Sequence, residues 1–146
     1  DVVSLVTQAV RSGQLQGHWE DLVRHEWSLF AIGASTVRPL PGADFNLLQV
    51  NPSIQVEEYG YALPSWLSGS VEEAPEEKAT LIAYFLHPSD LRGRWQQLLE
   101  PELAGMQFAE SGDSVSEASG RHGISTTDLC RGLERLVDGG LLTLRN

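Results

Sequence analysis

The sequence predicts an α+β protein: N-terminal helices plus β-strands, followed by a winged-helix-like unit with a β-hairpin and three helices. Three observations carry this. Residues 18–32 (HWEDLVRHEWSLFAI) repeat apolar side chains at helical spacing. Residues 79–87 and 93–99 read as two strands around the turn Pro88-Ser89-Asp90. From Pro101 onward come three helical stretches with their own start and stop residues, and a short strand closes the chain. At 146 residues the chain is domain-sized and long enough to bury a core without disulfides.

Residues 2–11 predict a short helix, with Val2, Val3, Val6 and Val10 near one stripe and Gly13 as its stop. In the helix over 18–32, Trp19, Leu22, Val23, Trp27 and Phe30 follow the 3.6-residue period, and Gly33 ends it. Pro39-Leu40-Pro41-Gly42 is a loop. Residues 45–50 and 53–61 predict strands separated by Asn51-Pro52, without requiring a tight hairpin between them. The strand at 79–87 (ATLIAYFLH) is apolar nearly throughout, so it is expected in the middle of a sheet.

Pro101 suits the first turn of a helix carrying Leu103, Met106 and Phe108. Ser114 with Glu117, and Ser125 with Asp128, have the spacing of capping boxes. They open helices over 113–122 and 125–138, with Gly123 in the turn between them. Leu129, Leu133, Leu136 and Val137 are the buried stripe of the last helix, and Gly139-Gly140 stops it. Residues 141–145 predict a strand. Between the halves, residues 68–78 are acidic and nearly free of large apolar side chains. The expected organisation is a helix/strand subregion at 1–67, a linker at 68–78 and a winged-helix-like subregion at 79–146.

Charge and composition narrow the function. Ten basic residues face twenty acidic ones, for a formal net charge of −10, and Lys78 is the only lysine. Nucleic acid is disfavoured as a partner, because its affinity comes from counterion release by basic side chains. Arg131 and Arg135 stand one turn apart on the last helix, but Asp128, Glu134 and Asp138 share it. No apolar run is long enough to span a membrane, and no signal peptide is read at the start. The expected setting is reducing and cytoplasmic. One cysteine excludes an internal disulfide and a four-cysteine zinc site.

Candidate chemistry is sparse. His18, Asp21 and His25 lie at i, i+3 and i+7 on one helix, and two imidazoles with a carboxylate suit a metal ion. The simpler reading is a polar helix face, since two turns separate the outer pair. His87 and His122 read as structural or solvated. Cys130 has no recognisable base, which favours a packed or half-buried thiol. No nucleophile elbow, dinucleotide fingerprint or phosphate loop occurs. No catalytic residue and no metal ligand is assigned.

An exposed edge strand, by contrast, can accept an extended peptide. The strand at 93–99 and the helix at 125–138 are the expected walls of such a groove. Its candidate peptide-binding residues are Arg94, Trp95, Gln97, Arg131 and Arg135. The arginines would pair with acids on the peptide, and Trp95 is either an apolar contact or a core residue.

HEWSLF (25–30), FNLLQVNPSIQVEEYGY (45–61) and the three-helix unit ending GGLLTL (139–144) together resemble a family of small partner subunits. These accompany TIM-barrel multinuclear-iron oxygenases that modify cysteine in ribosomally made peptides, as in methanobactin-type and 3-thiaglutamate-type maturation. The second half also resembles a PqqD-like peptide-recognition element. The resemblance implies that iron and catalysis belong to the barrel partner and that this chain holds no cofactor. It further implies that the chain binds the leader of a precursor peptide by strand addition, while residues 1–67 dock on the oxygenase. Trp19 and Trp66 are the candidate partner-interface anchors, and Trp27 is expected in the core. Two other readings stay open: an acidic winged-helix protein acting in transcription, and a small metal-dependent enzyme using His18, Asp21 and His25.

Overall fold

A computed structural model describes residues 1–36, 48–69 and 72–144. The described elements run in the order α1 (Val2–Arg11), α2 (Gly17–Gly33), β1 (Leu48–Val50), β2 (Gln55–Tyr61), α3 (Leu63–Ser68), β3 (Glu77–Leu86), β4 (Gly93–Leu98), α4 (Glu100–Ser111), α5 (Val115–His122), α6 (Thr126–Gly139) and β5 (Leu142–Leu144). The α+β class is as the sequence predicts. The expected loop at Pro39–Gly42 and the start of the strand at 45–50 fall outside the described residues. The helix α3 was not expected from Pro64-Ser65-Trp66; Pro64 lies in its first turn, where a missing N–H breaks no helical bond.

β2, β3 and β4 form an antiparallel sheet with β3 in the middle. The apolar run of β3 is thereby explained, because alternate side chains feed two cores. Ile82, Tyr84 and Leu86 join Ile32 of α2, Tyr59 of β2, and Leu63 and Trp66 of α3 on one face. Ala83 and Phe85 join Leu98, Leu136, Leu141 and Leu142 on the other. A third cluster, Ala104, Ala118 and Leu129, ties α4, α5 and α6 together. The sheet therefore lies between two helical layers.

The caps read from the sequence are present. Ser114 Oγ accepts from Glu117 N at 3.3 Å, and Ser125 Oγ accepts from Asp128 N at 3.0 Å. Gly140 ends α6 at φ +87°, a left-handed conformation that favours glycine. The crossing of α4 on α6 needs small residues. A methyl group on Gly132 would stand 2.5 Å from the Pro101 carbonyl oxygen.

The division into two subregions is corrected. β2 precedes residues 68–78 and β3 begins at their end, yet the two strands pair, and the terminal strand β5 pairs with β1. Within the expected linker, Glu73 O accepts from Trp66 Nε1 at 2.6 Å, Glu76 O accepts from Ala62 N at 2.9 Å, and Glu77 and Lys78 belong to β3. An acidic, apolar-poor segment here connects neighbouring strands of one sheet.

One buried side chain locks the two sheets together. Asn51 is fully buried; its Nδ2 donates to Leu86 O at 2.9 Å and to Gly140 O at 2.8 Å. Its Oδ1 accepts from Ser53 N and Ser53 Oγ, and Ser53 Oγ accepts from Leu86 N at 2.9 Å. The Asn-Pro-Ser break is thus a polar knot between the ends of β1, β3 and α6.

Candidate binding surfaces

α2 packs with the face opposite to the expected one. His18, Asp21, His25 and Ile32 are buried, whereas Trp19 is 40%, Trp27 55% and Phe30 68% exposed. Trp27 is therefore not a core residue, and the His/Asp stripe is not solvated. The polar face can be buried because each member finds a partner. Asp21 Oδ2 accepts from Gly60 N at 2.7 Å, at the point where the β2–β3 register shifts. Arg24 reaches Asp21 at 3.5 Å and Glu57 at 3.2 Å and lies over the Tyr59 ring. His18 packs edge-on against Tyr61 and Trp66. His25 Nδ1 lies 2.6 Å from Tyr84 Oη, which lies 2.7 Å from Tyr59 Oη.

Burial sets the protonation of this cluster. It lowers the pKa of His25 from the ordinary 6.5, so the imidazole is held neutral. Burial raises Asp21 above the usual carboxylate value, opposed by the Gly60 N–H and by Arg24. Burial also raises Tyr59 and Tyr84. Among the described residues no three His, Cys, Asp or Glu side chains are placed to hold a metal ion. His18, Asp21 and His25 face three different neighbours and do not converge. Of the remaining candidates, Cys130 is exposed rather than packed. His87 Nδ1 lies 2.8 Å from Ser89 Oγ, and His122 Nδ1 lies 3.2 Å from Glu100 Oε1.

The exposed side of α2 joins α1 in an apolar cleft of about 420 Å³, lined by Val2, Val3, Trp19, Leu22, Val23, Glu26, Trp27 and Phe30. Trp19 thus stays available as an anchor. Trp66 does not: it is 7% exposed and its indole N–H is spent on Glu73. The apolar stripe of α2 is legible in the sequence, but of its members Trp27 was expected in the core and is exposed. The competing signal was the second stripe, His18, Asp21 and His25, which matches tyrosines spaced two apart along a strand.

A second surface is the outer edge of β4. No described strand lies along it. His87 N donates to Arg92 O at 2.9 Å, so Arg92 turns its backbone towards β3. Alternation along the ladder then turns the N–H and C=O of Gly93, Trp95 and Gln97 outward. These are the groups a peptide strand would bond.

The predicted peptide-binding side chains divide between two faces. Trp95 is half-buried, edge-on to His25 at 4.9 Å, in the core beneath α2. Gln97 is half-buried on that same side by alternation. Arg94 points to the other side and pairs with Asp90 at 2.8 Å. On α6, Arg131 is 65% exposed and 3.8 Å from Asp128. Arg135 Nη1 donates to Glu102 Oε1 at 2.9 Å, and Glu102 is buried. The backbone of β4 is thus open, but Arg94 and Arg135 have carboxylate partners within the chain, and Trp95 is a core residue.

No helix among the described residues is long and apolar enough to cross a membrane. Comparison with family models, with curated proteins and with solved structures finds nothing that matches this chain.

Proposed function

We propose that this chain is a non-catalytic recognition subunit. It binds the leader of a ribosomally made precursor peptide by strand addition along β4 and presents the peptide's cysteine to an iron-dependent TIM-barrel oxygenase docked on the α1–α2 side. The observation that carries the reading is the outward backbone of Gly93, Trp95 and Gln97 on an edge strand with no described neighbour. Two others support it. The titratable cluster on α2 is committed to packing, and the cleft between α1 and α2 has one charged lining residue, Glu26, among apolar ones. Remote binding of a leader would offset the entropy of positioning the reacting cysteine. The resemblance read from the sequence supplies the class of partner, with the iron and the oxygen chemistry on the partner's side. A cytoplasmic setting belongs to the same reading.

The test is to purify the tagged protein and its Gln97→Pro variant from the host and to identify bound peptides by mass spectrometry. Proline at 97 removes an outward N–H and leaves the pairing with β3, which an edge strand tolerates. The reading predicts a cysteine-bearing peptide on the native protein and none on the variant. No peptide on either protein, or the same peptide on both, would contradict it.

A further inference from the structure

We propose that the cleft between α1 and α2 receives an amphipathic helix of a protein partner, apolar along one face and flanked by lysine or arginine. This rests on the reading of the chain as a docking subunit and adds the chemistry of what docks. α1 has no buried residue and packs chiefly on α2, with Thr7 Oγ1 donating to Glu20 Oε1 at 3.1 Å. The two helices therefore form a single layer, with a furrow where a third helix would complete the packing. Trp19, Val23, Trp27 and Phe30 line it at intervals of four, four and three residues, the spacing of one helix face. From Trp19 to Phe30 that face spans about 17 Å, the length of a helix of roughly three turns. Aromatic anchors of this kind dominate helix-in-groove contacts.

Charge selects the occupant. Glu26 is exposed and is the one charged side chain in the lining. Glu20 adds acid on the same helix. The bases of these helices are turned away or distant: Arg24 pairs with Asp21 and Glu57 on the sheet side, and Arg11 stands at the end of α1 opposite Val2 and Val3. A second copy is the wrong occupant, because two-fold contact through this face would oppose like charges on chains of formal charge −10.

The experiment titrates the full chain by calorimetry with two synthetic helices of about 14 residues. They share one leucine–phenylalanine stripe and differ only in flanking residues, lysine in one and glutamate in the other. The lysine helix is expected to bind at least tenfold more tightly. Trp27→Glu should abolish that binding with the circular dichroism spectrum unchanged, and Glu26→Lys should reverse the preference. Equal binding of both helices, or of neither, overturns the proposal. So does a concentration-dependent dimer that Trp27→Glu dissolves. Purification from the host separates the two levels: loss of a native partner in Trp27→Glu, with no lysine-helix binding, keeps the docking face and removes the basic-helix occupant. A partner retained by Trp27→Glu removes the docking face itself.

Discussion

The Nδ1 atom of His25 lies 2.6 Å from the hydroxyl oxygen of Tyr84, inside the core between α2 and the central strand of the sheet. That contact, with those of Asp21 to Gly60 and of His18 to Tyr61 and Trp66, seats the polar face of α2 on the sheet and leaves the apolar face exposed. Tyr84→Phe removes the hydroxyl beside His25 Nδ1 and Tyr59 Oη; Tyr59 keeps its hydrogen bond to Ser28, so the His25 nitrogen is the buried group left unmatched. An unmatched buried group costs about 1–3 kcal/mol. Urea unfolding should register a loss of about that size.

The same imidazole gives stability a pH dependence of defined sign. The folded pKa of His25 is depressed below 6.5, so the unfolded chain binds the proton more readily. The contribution is complete above the unfolded pKa and is lost as pH falls from there towards the folded value. The unfolding free energy should decline from pH 7 towards pH 5.5, and His25→Gln should flatten that slope. Asp21 acts with the opposite sign at lower pH. Its raised pKa makes its contribution fall as pH rises from the ordinary 3.8 through the folded value. A slope unchanged in His25→Gln would contradict the first assignment.

Asn51→Ala should be among the most damaging single changes. It strands the carbonyls of Leu86 and Gly140 and two donors of Ser53. With each orphaned group costing about 1–3 kcal/mol, a loss of at least about 3 kcal/mol is expected. Thermal or urea unfolding checks it, and a loss under 1 kcal/mol would show the knot to be dispensable.

Gly132→Ala tests the helix crossing. The added methyl would meet the Pro101 carbonyl oxygen at 2.5 Å, so α4 and α6 must separate. Overpacking of this kind costs about 1–3 kcal/mol, although alanine favours the helix intrinsically. A stabilised variant would mean that the crossing is looser than the backbone positions imply.

The legibility of this chain in its sequence follows from which signals were local. The capping residues Ser114 and Ser125, the Gly123 turn, the Gly140 stop and the centrality of β3 depend on a few neighbouring residues, and all are present. The pairing of β1 with β5 joins Leu48 to Leu144, about two thirds of the chain apart, which no local pattern encodes. Amphipathicity misled at α2 because both stripes are buriable: Trp27 and Phe30 are more apolar, but His18, Asp21 and His25 find matched partners in Trp66, Gly60 and Tyr84. The expected peptide groove placed Trp95 and Gln97 with Arg131 and Arg135. Alternation along β4 instead sends the first two under α2, while α6 packs on the other face.

A recognition subunit is defined by what it assembles with, so the composition of the native assembly is the decisive quantity. The tagged protein and a Trp27→Glu, Phe30→Glu variant, both changed only at exposed positions, are purified from the host, and mass and iron content are determined. An equimolar complex of the native chain with an iron-containing protein of barrel size is expected, and a metal-free single chain for the variant. A native chain that purifies alone with its own stoichiometric metal, or a variant that retains the iron protein, would contradict it.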